Sequence, residues 1–344
     1  MISKFIPVIL ASGLVSFLVT PLMVRLARRI NFVDAPASRK LHVTPMPMLG
    51  GVAIYAGMAT AVLFSGTPTL AELVGVLGGA TIVTAFGVWD DRFGMPPAVK
   101  LIGQIIAAAL LIFVGIQVRL FHNDLLDIAL TVLWVVGISN AVNFLDNMDG
   151  LAAGLAGVAS AFFFIIAVVE GLGLVASVAA ATLGACVAFL YYNFSPATLF
   201  MGDAGSMLLG FVLAVLGIKL EFSSIPTTVT WMIPILVLGL PIFDTTLVVI
   251  SRLRGKRPVY LGGKDHVSHR LMQVLKMSPA RAVVTLYLIA AGLGLLAIVV
   301  LQSTPLQAGI LALSLAILFI AALIWFEVRF KLVPPTNIEP PTPH

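Results

Sequence analysis

Residues 125–150 read Leu125-Leu-Asp-Ile-Ala-Leu-Thr-Val-Leu-Trp-Val-Val-Gly-Ile-Ser-Asn140-Ala-Val-Asn143-Phe-Leu-Asp146-Asn-Met-Asp149-Gly150. About twenty mostly apolar residues, enough to cross a bilayer as a helix, end abruptly in asparagines and aspartates. Ten further runs of this kind occur, giving eleven in all: 5–24, 48–66, 70–89, 101–118, 125–145, 151–169, 172–192, 206–220, 228–250, 282–302 and 306–326.

Composition agrees. Of 344 residues, 60% are apolar and 10% are charged, against about 25% charged in an ordinary soluble domain. Mean hydropathy is +1.10. These values exclude a water-soluble enzyme, a disordered chain and a fibrous repeat. A lone cysteine, Cys186, excludes a disulfide framework and any Cys-rich metal site. Lying inside an apolar run, it reads as a packing residue. The pI of about 9.5 reflects loop Lys and Arg in a membrane chain and points to no nucleic acid. The first run is no cleaved signal peptide, since Arg25, Arg28 and Arg29 follow it where small residues would be needed.

Eleven crossings put alternate loops on alternate sides. One side then collects 17 of the 20 Lys and Arg, leaving Lys4, Arg119 and Lys219 on the other. The positive-inside rule places the N-terminus outside and the C-terminus in the cytoplasm. The expected fold is therefore an all-α integral membrane protein, a polytopic bundle of about 11 transmembrane helices in the plasma (inner) membrane. One bundle covers residues 1–333, and the Pro-rich stretch 334–344 reads as a disordered cytoplasmic tail. Gly150 and Gly154 form a GxxxG that reads as helix packing.

The chain has 15 Asp and Glu, and their placement is informative. Asp90 and Asp91 close the third run, Asp146 and Asp149 the fifth, Asp203 precedes the eighth, and Asp244 lies in the ninth. Carboxylates beside apolar spans are costly and usually functional. On this topology four separate elements deliver acids to the cytoplasmic face, where basic loops also lie. Several carboxylates there suit a hard cation such as Mg²⁺, which takes one or two carboxylates plus substrate phosphates. The pattern suggests metal-assisted phosphoryl chemistry between a cytosolic substrate and a lipid.

The loop Gly262-Gly-Lys-Asp265-His266-Val-Ser268-His269-Arg270 places two imidazoles and a guanidinium on one helical face, suited to gripping a diphosphate. As zinc ligands they lack a third soft partner. The first loop adds Arg39, Lys40 and His42 as phosphate or headgroup contacts, and Pro45, Pro47, Gly50 and Gly51 shape its entry into the second run.

Together these motifs resemble a known family. Arg39-Lys40-x-His42 with Gly50-Gly51, Asp90-Asp91, the Asn-x-x-Asn-x-x-Asp-x-x-Asp-Gly run from Asn140, the block from Asn193 through Asp203 to Ser206, Pro241 to Thr245, and His266/His269-Arg270 occur in that order. They resemble the polyprenyl-phosphate N-acetylhexosamine-1-phosphate transferases, of bacterial undecaprenyl-phosphate GlcNAc-1-phosphate transferase type. They are more distantly similar to phospho-MurNAc-pentapeptide translocase. The resemblance runs from about residue 20 to 330. It implies transfer of a sugar-1-phosphate from a UDP-sugar donor to a polyprenyl phosphate acceptor within the lipid bilayer, releasing UMP, with Mg²⁺ or Mn²⁺ as cofactor. A homodimer is a possible assembly.

The resemblance also implies residue roles. Asp203 and Asp91 are metal ligands, and Asp90 and Asp91 position or deprotonate the lipid phosphate. Asn143, Asp146 and Asp149 belong to the nucleotide site. Asn193, His266, His269 and Arg270 are catalytic, while Arg39, Lys40, His42 and Asp244 bind substrate. One departure stands out, because Ser268 occupies a position where GlcNAc-type members typically carry His. The translocase's triple-His run and its Gly-Thr-Pro-Thr-Met loop are absent, which favours a GlcNAc-type donor.

A proton- or ion-coupled transporter is the rival reading. Its acids should sit at mid-membrane and its halves should repeat, whereas these acids sit at helix ends and no repeat is visible. Asp244, inside a run, is the residue that keeps it open.

Overall fold

The structure is a computed structural model that describes residues 2–34, 45–222, 225–260 and 262–330. Helix α1 (Ile6–Arg29) leads into a two-residue antiparallel ribbon, β1 (Val33–Asp34) and β2 (Met46–Pro47), with Val33 opposite Pro47. Then follow α2 (Gly50–Phe64), α3 (Leu70–Phe93, with one π turn at Val74–Gly78), α4 (Pro97–Phe113), α5 (Asp124–Leu145), α6 (Leu151–Val169), α7 (Gly173–Asn193) and α8 (Gly202–Ile218). The last third holds α9 (Thr227–Val237), α10 (Gly239–Arg254), the short α11 (Val267–Val274), α12 (Pro279–Leu301) and α13 (Pro305–Arg329). Local signals set many starts. Thr69 with Glu72, and Thr304 with Gln307, form capping boxes, and Pro97, Pro279 and Pro305 open their helices.

All eleven apolar runs are helical, but the expectation of about 11 transmembrane helices is corrected. Among the described residues seven helices have the length and apolarity of a span: Ile2–Arg29, Leu70–Phe93, Asp124–Leu145, Leu151–Val169, Gly173–Asn193, Pro279–Leu301 and Pro305–Arg329. An eighth results if α9 and α10, bent by 70° at their junction, count as one crossing. Helices α2, α4 and α8 have 15, 17 and 17 residues. They reach about 22–26 Å at 1.5 Å per residue, short of a ~30 Å hydrocarbon core. A short helix enclosed by other helices is as apolar all round as a span, so composition alone does not separate the two. The alternation of eleven crossings, on which the placement of the termini rested, does not hold.

The enclosed helix is α8. Every residue in it except Asp203 is buried. Helices α2 and α3 approach its first turn at glycine: a Cβ on Gly51 would overlap the Gly205 backbone, and one on Gly87 the Ala204 backbone. These contacts bring the ends of several helices to one point, where the acids lie. At Gly150–Gly154 the Tyr287 hydroxyl donates to the Gly150 carbonyl (2.5 Å), and its ring fills the space a Gly154 side chain would need.

Candidate active site

The α8 N-terminus organises the site. Asp91 accepts hydrogen bonds from the backbone N–H groups of Asp203 (2.8 Å) and Ala204 (3.1 Å). A helix start leaves N–H groups unpaired and carries partial positive charge, so a carboxylate satisfies both needs. Gly202 allows this contact, with φ of +71° and no side chain to strike the Asp91 carboxylate. Both Asp91 oxygens are thus used in fastening α3 to α8.

Its neighbour points elsewhere. Asp90 accepts from the Met95 N–H (2.5 Å) and makes an ion pair with Lys100 of α4. The same Lys100 ammonium pairs with Asp203 Oδ2. The other Asp203 oxygen accepts from the Asn143 amide (2.8 Å), which also donates to Ser206 Oγ (2.9 Å). Asp90, Asp203, Asn143 and Lys100 therefore form one cluster drawn from α3, α8, α5 and α4. Lys100 and Asp203 are partly buried there, with 23% and 29% of their side chains exposed.

No group of three or more His, Cys, Asp or Glu able to hold a metal occurs among the described residues. Two carboxylate oxygens nevertheless converge on one cationic centre, the Lys100 ammonium. Two carboxylates are the usual protein share of a Mg²⁺ site, with water and phosphate oxygens completing it. The donor set fits that ion.

The end of α5 lines the cluster further. Burial, and then the charges of Asp203 and Asp149, push the Asp146 carboxyl up to about 7. Asp149 accepts from the Ala197 N–H (3.0 Å). Asn193 is buried, with its amide spent on backbone: it accepts from Gly150 N–H (3.1 Å) and donates to the Leu199 carbonyl (2.9 Å). It pins the loop before α8 to the start of α6.

The histidine loop docks on the same stretch. Ser268 Oγ donates to Asn147 Oδ1 (2.7 Å), and the His266 ring meets Phe144 edge-on at 6.4 Å. Fully buried Asp244 holds His266 from behind: Oδ2 lies 2.7 Å from Nδ1, and Oδ1 accepts from the Val267 N–H at 2.7 Å. The bond at Nδ1 orients the ring and leaves Nε2 for other partners. His269 is held neutral. Burial, then the neighbouring His266 and Lys264, lower its imidazole to about 4.

The loop's guanidinium groups are committed to the fold. Arg270 has no exposed surface. It donates to Glu327 of α13 (2.8 Å) and to the Asp265 carbonyl (2.7 Å), and lies 4.5 Å from the Phe330 ring centre. Arg252 makes a two-point pair with Asp265, at 2.9 Å each. Burial would raise the Asp265 carboxyl, but Arg252's hydrogen bonds and charge hold it below the usual range. Beside the loop an apolar cleft of about 560 Å³ opens between the bent α9–α10 pair and α12 and α13, reaching Val267 and Leu271.

The expected residues thus divide. Asp90, Asp203 and Asn143 meet directly. Asp91, Asn193, Asp149 and Asp244 hold that neighbourhood in place. His266 and His269 stand beside it, and Arg270 turns away into the α13 contact. Arg39, Lys40 and His42 lie outside the described residues. Lys100 and Glu327 were missed as site residues. Lys100 carried one legible signal, a cation in the first turn of a helix with no acid in that turn, which opposes the helix dipole unless acids arrive from elsewhere.

Known proteins match this chain over nearly all of it. The model of Glycosyl transferase family 4 matches residues 73–221. A probable undecaprenyl-phosphate N-acetylglucosaminyl 1-phosphate transferase of Bacillus subtilis is 35% identical over 326 residues, covering 92% of this chain and 89% of that protein. A decaprenyl-phosphate N-acetylglucosaminephosphotransferase of Mycobacterium leprae is 32% identical, over 81% of this chain and 79% of that one. A phospho-N-acetylmuramoyl-pentapeptide-transferase of Mycobacterium leprae is 36% identical over 59% of this chain and 73% of its own length. With that identity over that length, and with the acids of separate helices gathered at one α8 terminus, the chain belongs to the polyprenyl-phosphate N-acetylhexosamine-1-phosphate transferase family.

Proposed function

We propose that this transferase moves N-acetylglucosamine-1-phosphate from UDP-N-acetylglucosamine to undecaprenyl or a similar polyprenyl phosphate, releasing UMP, and so initiates a cell-envelope glycan. An acceptor phosphate oxygen forms the new bond to the donor's β-phosphorus, the bond from that phosphorus to the bridging oxygen breaks, and UMP leaves as an anion. An already anionic nucleophile needs no covalent relay through Asp. The convergence of Asp90 and Asp203 on one cationic centre carries this reading.

Asp90 and Asp203 would hold Mg²⁺ (or Mn²⁺), which when bound supplies charge neutralisation for the diphosphate and the departing UMP. Asn143 fixes Asp203, and Asp91 fixes the turn that carries it. Asp146 and Asp149 are assigned to the nucleoside, next to the metal carboxylates. His266, oriented by Asp244, is assigned to the phosphates through Nε2. The apolar cleft suits a polyprenyl chain: its lining is almost wholly apolar and includes Val267 and Leu271, next to the histidines.

The relatives named for N-acetylglucosamine cover 81–92% of the chain, against 58–60% for those named for muramoyl-pentapeptide, and this supports the donor. The cytoplasmic face is supported by charge. Arg92 donates to the Asn31 carbonyl (2.8 Å), which brings the arginine-rich end of α1 to the same end of the bundle as the acids. Purified protein in detergent with Mg²⁺, polyprenyl phosphate and a panel of UDP-sugars tests the assignment. UMP release with UDP-N-acetylglucosamine is the expected result. Release only with the muramoyl-pentapeptide donor would overturn the donor, and uptake of an ion or solute by proteoliposomes without UMP release would overturn the reaction.

A further inference from the structure

Lys100 stands where a metal-ligand cluster would be expected to hold a metal. Its ammonium touches Asp90 and Asp203 at once, and it is the cation on which those two carboxylates converge. Helix α4 brings it there at a cost, because a positive charge in the first turn of a helix opposes the dipole. With 23% of its side chain exposed, Lys100 has a path to solvent, and its stem has freely rotating bonds. The arrangement differs from the buried pairs nearby: Arg252 with Asp265, and Arg270 with Glu327, are each nearly or fully sealed from solvent.

Without a cation between them, Asp90 and Asp203 would repel each other across the α3–α8 contact, which Asp91 would then hold alone. A divalent ion could fill the gap, but it must first be captured. Lys100 solves the assembly problem beforehand, and it then competes with the ion for the same oxygens.

We propose that Lys100 is the resident counter-ion of the metal site, holding Asp90 and Asp203 in register until a divalent cation displaces its ammonium. Lys100 is thereby a positioning residue that sets metal affinity, keeping the empty site assembled and binding weak enough for exchange. Asp90, Asp203 and Lys100 together carry one net negative charge before the ion enters, and a dication raises the charge of the site by two. The anionic donor is therefore repelled more by the metal-free enzyme than by the loaded one. This inference rests on the reading that Asp90 and Asp203 take the cation.

The test measures Mn²⁺ binding to the full-length protein in detergent, without either substrate, by electron paramagnetic resonance of free Mn²⁺. Thermal unfolding in EDTA and in Mn²⁺ is followed alongside. Lys100→Met should bind Mn²⁺ about tenfold or more tightly than wild type, a conservative figure for two contacting opposite charges. The same variant should melt lower than wild type in EDTA and recover more on adding Mn²⁺. Lys100→Arg, which keeps the charge, should stay close to wild type in affinity, a rescue that loss of packing would not show. Asp203→Asn is the control for the underlying reading. Should Asp203→Asn bind Mn²⁺ as wild type does, the metal reading fails and the inference with it. Should Asp203→Asn lose Mn²⁺ while Lys100→Met binds no more tightly than wild type, the counter-ion role alone is overturned.

Discussion

The cluster at the α8 terminus and the α10–α11 loop are both rich in charge, yet they use it in opposite ways. At the terminus Asp90, Asp203 and Lys100 meet in a partly open space, with one ammonium shared between two carboxylates. In the loop Arg252 is sealed against Asp265, and Arg270 against Glu327. The first arrangement can exchange partners and the second cannot, because removing one member of a buried pair strands the other charge. A charged residue near a membrane face is thus no guide to its role until its partners are known.

The largest expected effect lies in the open cluster. Asp203→Asn and Asp90→Asn should each lower UMP release by roughly 10²–10³-fold, the range for losing a preorganised electrostatic contact to the reacting charge. Both proteins should still insert and purify. Asp91→Asn should behave differently, since Asp91 caps α8. It should lower the melting temperature as well as the rate, by about 1–3 kcal/mol for backbone N–H groups left poorly paired. Equal stability in Asp91→Asn and wild type would erase the distinction between the two neighbouring aspartates.

That distinction shows where the sequence was and was not legible. The helices were legible, because an apolar run of this length has few alternatives. Their number as spans was not, because α8 is apolar for the sake of the helices around it, and α2 and α4 are as apolar as spans but shorter. The acids were legible as a set, since their cost near a bilayer demands a reason. Which of Asp90 and Asp91 faces the cluster depends on the rotation of α3, which Gly87 fixes against Ala204. Lys100 looked like one more loop cation because its second carboxylate partner, Asp203, lies 103 residues later on another helix. Arg270 looked like a phosphate ligand because Glu327, 57 residues later, lies on a helix whose relation to the loop no local pattern encodes.

The sealed loop gives the next test. Arg270→Ala should destabilise the protein by about 3–5 kcal/mol, since it leaves Glu327 buried against the Arg254 contact alone. The double variant Arg270→Met with Glu327→Leu should recover much of that loss, because removing both partners spares the stranded charge. Unfolding in detergent measures both. Arg270→Ala with wild-type stability but a failing donor affinity would move Arg270 into the open cluster's class and break the contrast.

The smallest effect is one of pH, and here the two regions pull in opposite directions. His269 in the loop has its imidazole lowered from 6.5 to about 4 by burial and then by His266 and Lys264. A group with a depressed value contributes stability that is complete above 6.5 and is lost as pH falls toward 4. Asp146 at the cluster has its carboxyl raised from 3.8 to about 7 by burial and then by Asp203 and Asp149. A raised value contributes stability that is complete below 3.8 and is lost as pH rises through 7. Between pH 5 and 6.5 the two slopes oppose, so each is read as the difference between a variant and the metal-free wild type. His269→Gln removes the loop's slope and leaves that of Asp146, so this variant should become more stable as pH falls across that window. Asp146→Asn keeps the His269 slope and should lose stability relative to wild type as pH falls across the same window, by about 1 kcal/mol or somewhat more. Melting curves of the three proteins in EDTA at pH 5, 5.75 and 6.5 separate the slopes. If both variants run parallel to wild type, neither group is perturbed by its surroundings, and the opposed electrostatics of cluster and loop are refuted at the two positions where they titrate.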